Sequence, residues 1–550
     1  MKIAIAQMNP IVGDVKYNAQ KALQTSSKYA SLGAQLIIFP ELFLSGYPPK
    51  DLILRQDFLE LVNAWAQKLA QQSPIPLIIG APYGQGDLGL PYNTALWCYQ
   101  NQVKILARKI LLPNYTVFDE KRYFSTPKKQ ACEAFEFNNK KFLISICEDS
   151  WNIKPGLTPI NYPCDPVSLG FLENKSVDYF INISASPYTT NKPALREQIF
   201  TYIAQKFNIT SLIASQVGAN DQLLFDGNSM IISPEGEILA RAKACEEDIL
   251  LYDSTNISPI KSPKLNSLEL TYKALIMGIK DYITKCQSQG LVLGLSGGID
   301  SAVCAVLAVE ALGPEKVKVF YLPSQFSSNN SLRDAQEIAD NLKLKLEIIP
   351  IEKAVHEVRQ SLNNILNNAS ESNRDLCDQN IQARMRGLIL MGISNAQDYY
   401  LLNTSNKSEL AVGYGTLYGD MCGAFSPLGD MYKTDVWRLA REINKKQELI
   451  PERVIKKAPT AELRPNQQDS DSLPDYLILD KILYNYINLN LNPQKIQAKT
   501  KLNISLINNI IKLVNRSEYK RRQAPLTFMI SNRVFGDARR LPIAKRLQDC

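Results

Sequence analysis

Histidine is almost absent from this chain of 550 residues, in which His356 is the single one. Catalytic triads of the Ser-His-Asp and Cys-His types need a histidine as their base. No serine or cysteine motif lies near His356 in the sequence. We therefore expect any nucleophile in this protein to be activated by a base of another kind.

Paired cysteines and long apolar runs are missing as well. The ten cysteines show no CxxC pair and no regular spacing, which argues against a disulfide framework and against a zinc site. No uncharged apolar stretch reaches about 18 residues, and the N-terminus has no long apolar core. Neither a membrane span nor a signal peptide is expected, and the sequence predicts a cytoplasmic protein.

The charge balance is modest for a chain of this length. A formal net charge of +8 favours solubility over a nucleic-acid partner. The basic run KRR at 520–522 is too short to indicate nucleic-acid binding, but it could meet the phosphates of a small ligand. The length exceeds what one ordinary hydrophobic core accommodates, so two domains are expected.

Short apolar runs alternate with helical stretches along the chain. Runs such as KIAIAQ, FLISIC and VDYFINIS have the length and composition of strands, and residues 253–267 form a polar stretch with two prolines that is typical of a linker. The pattern predicts α/β domains at 1–255 and 265–550, the second with a parallel sheet. A helix at 331–342 is expected to begin at the SLRD motif.

A strand, a glycine loop and a helix follow one another near residue 300. The strand LVLGL runs into SGGIDS at 296–301, and a helical pattern begins at once. Two glycines let backbone N–H groups approach an anion, and the helix N-terminus adds donors and a favourable dipole. Ser296 and Ser301 can add hydroxyl donors, and Asp300 can hold Mg²⁺. The loop is not a Walker A motif, because GxxxxGK[ST] is absent.

The string SGGIDS resembles the signature of the N-type ATP pyrophosphatases, which cleave ATP to AMP and pyrophosphate while they adenylate a substrate. Four further strings, NIQARMRG, LLNTSNKSELAVGYGTLYGD, PTAELRPNQQDSDSLPDY and YKRRQAP, are similar to NAD synthetases. This resemblance covers most of residues 265–550. It implies a Rossmann-like domain of the adenine nucleotide alpha hydrolase type, in which the carboxylate of deamido-NAD is adenylated by ATP and then amidated by ammonia.

The same resemblance implies where the ligands of the second half bind. Asn380, Glu409 and Lys520 would bind deamido-NAD, and Asp300 and Glu409 would hold Mg²⁺. These residue types suit the chemistry, because the departing pyrophosphate carries heavy negative charge. The residues assigned to ATP are Gly294, Leu295, Ser296, Gly297, Gly298, Ile299, Asp300, Ser301 and Thr404.

In the first half, three motifs place a carboxylate, an ammonium and a thiol beside apolar runs. Glu41 lies in FPELFLSGY, Lys109 in RKILLPNYTVFDEKRYF and Cys147 in FLISICEDSW. On neighbouring strand ends these groups could form a base, an oxyanion stabiliser and a nucleophile. A lone cysteine after a strand is usually an inert core residue, so the combination carries the prediction.

The order and wording of these motifs resemble the nitrilase superfamily of carbon–nitrogen hydrolases over roughly residues 1–250. The resemblance implies an αββα sandwich. It assigns Glu41 as general base, Lys109 as stabiliser of the tetrahedral intermediate and Cys147 as nucleophile, with Glu120 as a supporting carboxylate.

A nitrilase-type glutaminase joined to an ATP-pyrophosphatase domain resembles the glutamine-dependent NAD synthetases. Tyr115, Ser186 and Lys192 would then bind glutamine, and Cys147 would form a glutamyl thioester and release ammonia. The partners implied are glutamine, ATP and deamido-NAD, with Mg²⁺ as cofactor, an internal ammonia tunnel and a homo-oligomeric assembly. Two alternatives stay open: a ligase acting on another carboxylate, and a stand-alone amidase.

Overall fold

A computed structural model describes residues 1–86, 89–154, 156, 160–255, 260–261, 264–465 and 467–545. The chain divides into two compact units, Met1–Ala274 and Leu275–Cys550, and the division falls inside a helix. No helix in these ranges is both long and apolar enough to cross a lipid bilayer.

The first unit contains two large sheets and a two-stranded one. Its helices are α1 (Val15–Ser31), α2 (Gln56–Gln72), α3 (Pro166–Glu173), α4 (Lys192–Phe207) and α5 (Ser267–Lys285), the last of which enters the second unit. Short 3₁₀ helices include Lys50–Leu54, Glu120–Arg122 and Cys147–Ile153. The strands are β1 (Lys2–Gln7), β2 (Leu36–Ile38), β3 (Leu77–Tyr83), β4 (Tyr92–Tyr99), β5 (Gln102–Arg108), β6 (Glu133–Phe137), β7 (Lys140–Ile146), β8 (Tyr179–Ser184), β9 (Thr210–Ser215), β10 (Val217–Asn220), β11 (Leu223–Asp226), β12 (Met230–Ile232), β13 (Ile238–Arg241), β14 (Asp248–Asp253) and β15 (Ile260–Lys261).

The two large sheets pack face to face. One has the order β14-β1-β2-β3-β4-β5 and the other β15-β13-β12-β9-β8-β7-β6. Fully buried residues of both sheets, among them Ile5, Ile38, Ile144 and Ile181, form the core between them. On the outer faces, α2 lies against β3 and β4, and Phe180 packs in a second core with α3 and α4. This arrangement confirms the predicted αββα sandwich and explains the continuous burial of β8, which is covered on both faces.

The second unit is built on a parallel sheet. Its helices are α6 (Ile299–Leu312), α7 (Asn329–Asn341), α8 (Glu352–Ser361), α9 (Asn363–Asn367), α10 (Glu371–Gln397), α11 (Lys407–Val412), α12 (Lys433–Ile443), α13 (Glu452–Lys456), α14 (Tyr476–Leu483), α15 (Pro493–Thr500), α16 (Ile504–Arg516) and α17 (Glu518–Arg521). Its strands are β16 (Leu291–Gly294), β17 (Val317–Tyr321), β18 (Leu346–Ile348), β19 (Tyr400–Leu401), β20 (Phe425–Ser426) and β21 (Leu526–Thr527).

Four of these strands form one sheet in the order β18-β17-β16-β19, and every neighbouring pair is parallel. The predicted parallel sheet is therefore confirmed. Helix α6 directly follows the loop after β16 and is buried along most of its length, because its residues are nearly all apolar. The carboxyl ends of β16 and β19 lie at one edge of the sheet, where open α/β sheets usually bind ligands.

Two local expectations differ from the structure. Helix α7 begins at Asn329, two residues before the predicted start, because the Ser328 hydroxyl accepts the N–H of Ser331 at 3.1 Å and caps the helix. The polar stretch 253–267, predicted as a linker, contributes strand β15, which pairs in parallel with β13.

Two candidate active sites

The first candidate site surrounds Cys147 at the end of β7. Cys147 is the first residue of the 3₁₀ helix that follows this strand, and its φ of +44° is in the left-handed region. A residue other than glycine rarely adopts this backbone conformation unless the surrounding structure imposes it. The residue is 5% exposed, so the strand end holds the thiol in a nearly dry environment.

Lys109 lies between two buried carboxylates. Its Nζ donates to Glu41 Oε1 at 2.7 Å and to Glu120 Oε1 at 2.8 Å, and none of the three side chains is more than 6% exposed. Glu41 also accepts from Asn93 Nδ2 and, through Oε2, from the N–H of Ala185, both at 2.8 Å. Both carboxylate oxygens of Glu41 are thus fixed in place.

Burial and these close charges shift the pKa values of the cluster. Burial raises the pKa of Glu120 to about 7, against the opposing effect of Lys109. Burial also raises the pKa of the Cys147 thiol well above its usual value, and Glu41 raises it further. Burial lowers the pKa of Lys109, but Glu120 and Glu41 outweigh it and leave the pKa well above its usual value. The thiol is therefore neutral at rest and needs a base, and the ammonium stays charged.

A third carboxylate, Glu148, directly follows Cys147. It is 3% exposed and accepts hydrogen bonds from the hydroxyls of Tyr115 and Tyr162, each at 3.0 Å. Burial raises its pKa. Tyr115, predicted to bind glutamine, thus contacts a carboxylate beside the nucleophile.

Of the other two residues predicted for glutamine, Lys192 lies near Cys147 and Ser186 is buried. Lys192 begins α4, and its Nζ lies 5.2 Å from the ring centroid of Phe118 and 5.3 Å from that of Trp151. Burial lowers the pKa of Lys192, and the nearby Cys147 acts in the opposite direction. Ser186 is 3% exposed, and within the described ranges its hydroxyl has no hydrogen-bond partner. A buried unpartnered hydroxyl and a half-buried ammonium suit a polar ligand.

The second candidate site is a cavity of about 470 Å³ in the second unit. It is formed where the loop after β16 meets α10, α11 and residues 458–469. Gly297 does not line this cavity. Every other residue predicted for ATP, Mg²⁺ or deamido-NAD does: Gly294, Leu295, Ser296, Gly298, Ile299, Asp300, Ser301, Asn380, Thr404, Glu409 and Lys520.

The glycine loop is a tight turn held by internal hydrogen bonds. The hydroxyls of Ser296 and Ser301 lie 3.1 Å apart, and the N–H of Gly298 donates to Ser296 Oγ at 3.3 Å. Gly297 has a φ of +76°, and its Cα faces the carbonyl of Ser331 so closely that a side chain there would collide with it. Only glycine therefore fits at this turn.

The ammonium of Lys433 joins the two carboxylates that were predicted to hold magnesium. Its Nζ donates to Asp300 Oδ2 and, at 3.3 Å, to Glu409 Oε1, while Asn406 Nδ2 donates to Asp300 Oδ1 at 3.0 Å. Burial raises the pKa of Glu409 to about 8, and Lys433 opposes that rise. A buried cation thus lies between two carboxyl groups on the cavity wall.

These carboxylates fit the ligand preference of Mg²⁺. The ion commonly takes one or two carboxylates and completes its shell with water and phosphate oxygens. Asp300 and Glu409 line the cavity together with the glycine loop. Within the described part of the chain, no group of three or more His, Cys, Asp or Glu side chains is placed to hold a metal.

Two residues that were predicted to bind deamido-NAD form hydrogen bonds to the segment that follows α11. Lys520 Nζ donates to the carbonyls of Gly413 at 2.8 Å and Gly415 at 2.7 Å, and burial lowers its pKa. Asn380 Oδ1 accepts from the hydroxyl of Thr416 at 2.7 Å. Both side chains line the cavity, and the segment that they bind forms part of the cavity wall.

Three residues of these sites were not predicted from the sequence. Glu148 could have been found, since it adjoins Cys147. No sequence motif pointed to Lys433, because 133 positions separate it from Asp300. Asp469 lies in a polar stretch; Tyr476 donates to its Oδ2 at 2.8 Å, and its Oδ1 is buried with no hydrogen-bond partner in the ranges described.

Comparison with known proteins gives matches over both halves. The carbon-nitrogen hydrolase family matches residues 2–158 and 166–256, and the NAD synthase family matches residues 271–524. The chain is 40% identical to the glutamine-dependent NAD(+) synthetase of Synechocystis sp. over 558 residues, covering 99% of this chain and 98% of the relative. It is 40% identical to the enzyme of the same description from Aquifex aeolicus over 585 residues, covering 99% of each. A solved glutamine-dependent NAD+ synthetase from Acinetobacter baumannii, in complex with ADP, superposes with a TM-score of 0.76 at 36% identity over 98% of both chains.

Proposed function

The chain belongs to the family of glutamine-dependent NAD(+) synthetases, and we propose that it converts deamido-NAD to NAD with ATP and with ammonia taken from glutamine. AMP, pyrophosphate and glutamate are the other products. The observation that carries this proposal is that one chain contains both residue sets, the Lys109 cluster beside Cys147 and the cavity beside the SGGIDS turn. Neither set alone links amide hydrolysis to adenylation.

Glutamine hydrolysis is assigned to the first site. Glu41 takes the proton of Cys147 as its sulfur attacks the carboxamide carbon, and Lys109 stabilises the negative oxygen that forms. The nitrogen leaves as ammonia with that proton, a thioester remains, and water releases glutamate. Glu120 supports Lys109 from its far side. Glutamine itself is held by Tyr115, Ser186 and Lys192.

Adenylation and amidation are assigned to the second site. The backbone N–H groups of the loop at 294–301 and Thr404 bind the phosphates of ATP. Asp300 and Glu409 would hold Mg²⁺, whose positive charge would offset the negative charge of those phosphates. Lys433 adds a positive charge beside the same carboxylates. The deamido-NAD carboxylate is positioned for attack on the α-phosphate by Asn380, Glu409 and Lys520.

A cytoplasmic, homo-oligomeric protein with domains at 1–255 and 265–550 completes the proposal. The nine cysteines that the structure describes are all free, which agrees with a reducing compartment. A thiol nucleophile also needs such a compartment to stay reduced. The homo-oligomer rests on the family resemblance alone.

The test is product analysis of the purified protein with ATP, Mg²⁺, deamido-NAD and glutamine. NAD, AMP, pyrophosphate and glutamate are expected in equal amounts. Glutamate without AMP would leave a stand-alone amidase. If AMP and amide formed faster with another carboxylic acid than with deamido-NAD, the protein would be a ligase of that acid instead.

A further inference from the structure

Asp149 is a buried carboxylate that the proposed reaction does not use. It lies two residues after Cys147 and is 1% exposed. Its Oδ1 accepts the backbone N–H of Ile110 at 3.0 Å and of Leu111 at 2.7 Å. Its Oδ2 accepts the backbone N–H of Ile146 at 3.3 Å. Burial raises the pKa of Asp149 to about 7, and these three backbone hydrogen bonds oppose that rise.

These three hydrogen bonds connect the two segments that carry the reacting groups. Ile146 directly precedes the nucleophile Cys147, and Ile110 directly follows Lys109. Strand β5 ends at Arg108, so the N–H groups after Lys109 have left the sheet and need another acceptor. Asp149 supplies it from the turn that holds Cys147. One side chain therefore connects the residues after Lys109 to the residue before Cys147.

Lys109 has its other contacts on different elements. Its own N–H donates to the carbonyl of Asn93 on β4 at 2.8 Å, and its Nζ binds Glu41 and Glu120. None of these contacts reaches the turn at Cys147. Within the described residues, the hydrogen bonds that connect residues 109–111 to that turn are those of Asp149.

We propose that Asp149 is a positioning residue for glutamine hydrolysis: it holds Lys109 where the negative oxygen forms on the intermediate at Cys147. The proposal rests on the proposed function of the first site. Displacing a charged group by about 1 Å from such an oxygen typically costs on the order of 100-fold in rate. The positioning role therefore predicts a large kinetic effect from a residue that touches neither glutamine nor the thiol.

Two reactions of the same thiol distinguish positioning from mere folding. When Cys147 attacks glutamine, the C=O π electrons move to oxygen, and Lys109 is needed to stabilise the resulting charge. When Cys147 reacts with iodoacetamide, the sulfur forms a bond to carbon, iodide leaves with the bonding electrons, and the thiol proton goes to the base. No negative oxygen forms in this second reaction, so it does not need the oxyanion stabilisation that Lys109 supplies.

The variants are Asp149→Asn and Asp149→Leu, measured in the full-length protein. Asparagine keeps an oxygen for the N–H groups of Ile110 and Leu111 but turns its NH₂ toward the N–H of Ile146. Leucine removes every acceptor. We expect kcat for glutamine to fall about 10-fold in the first and about 100-fold in the second. The rate of NAD synthesis from ammonium is expected to stay within about twofold of the parent rate. The rate at which iodoacetamide alkylates Cys147, measured by mass spectrometry of the peptide that contains it, is expected to stay within about threefold of the parent rate.

Asp165→Ala is the matched control, because Asp165 also accepts a backbone N–H in the first unit, that of Ser168 at 3.1 Å, as the cap of α3. It should keep parental glutamine turnover. Parental turnover in a folded Asp149→Asn protein would overturn the proposal, and so would equal losses of turnover and alkylation. If the leucine variant does not fold, the asparagine variant decides alone. Failure of the proposed function itself would be seen earlier, as a parent protein that hydrolyses no glutamine.

Discussion

At the scale of single residues, both sites place one lysine between two carboxylates. Lys109 contacts Glu41 and Glu120, and Lys433 contacts Asp300 and Glu409. A carboxylate withdrawn from water without a cation is costly, so each lysine offsets part of the cost of placing two carboxylates at one site. The desolvation that the lysines do not offset raises the pKa of Glu120 to about 7 and that of Glu409 to about 8.

The raised pKa of Glu120 predicts the pH dependence of glutamine hydrolysis. Burial raises this pKa to about 7, so below that pH the carboxyl group is protonated and no longer holds Lys109 as an ion pair. Glutamine-dependent kcat should therefore rise with pH through about 7. In Glu120→Gln we expect this rise to shrink, and kcat at pH 8 to fall about 10-fold. Steady-state kinetics from pH 5.5 to 9 measure both.

The titratable groups that contact Glu120 are the other residues that could cause this pH dependence. Lys109, Glu41 and the hydroxyl of Tyr47 face the carboxyl group. Lysine and tyrosine ordinarily titrate well above pH 7 and cannot produce a rise there. A Glu120→Gln profile that superposes on that of the parent would assign the rise to another group.

Asp300 is one of the two residues that we propose to bind Mg²⁺. Asp300→Asn keeps the size of the side chain and its contact with Asn406 but removes the charge that faces Lys433 and the cavity. We expect AMP formation to fall at least about 100-fold, which corresponds to about 2.7 kcal/mol in the transition state. Glutamine hydrolysis should remain measurable. Normal ligation at every Mg²⁺ concentration would rule out the metal role of Asp300.

At the scale of elements, the turn between β16 and α6 depends on one glycine. Gly297→Ala introduces a methyl group at φ +76°, where it would meet the carbonyl of Ser331. We expect loss of ATP-dependent AMP formation and a decrease in the free energy of unfolding of more than about 1 kcal/mol. Chemical denaturation and AMP assays measure these effects.

Gly392→Ala is the control for that substitution. Gly392 lies inside α10, and a methyl group added there meets no atom within 4 Å. Alanine in a helix interior is favoured over glycine by roughly 0.8–1 kcal/mol, so this variant should be as stable as the parent or more so. Equal losses of stability in both variants would show that the Gly297 turn imposes no special requirement.

The elements also show what could be predicted from the sequence. Strand β16 (LVLG) is a continuous apolar run and β8 (YFINIS) is mostly apolar, as their burial requires, and the glycine turn follows β16 directly. The start of α7 was wrong because Ser328 and Ser331 are both good capping residues, and sequence alone does not show which hydroxyl faces the helix end. Lys433 was missed because a contact across 133 residues depends on how the elements pack.

At the scale of the whole molecule, ammonia is the only species that the two proposed reactions share. Free ammonia is mostly ammonium at neutral pH, and ammonium has no electron pair with which to attack an acyl adenylate. Hydrolysis of glutamine by the same chain supplies the neutral form. The two half-reactions should therefore be separable when external ammonium, at high pH and concentration, replaces glutamine.

Cys147→Ala makes that separation testable. Without the thiol no glutamyl thioester forms, so NAD synthesis from glutamine should fall below detection. Synthesis from ammonium chloride at pH 8.5 should stay within about twofold of the parent rate, because the cavity residues are in the other unit. The matched variant is Cys98→Ala, a buried cysteine on β4 that should keep both activities. If a folded Cys147→Ala protein lost the ammonium-fed reaction as well, the ligase chemistry would depend on the thiol, and the division of labour proposed for the two halves would be wrong.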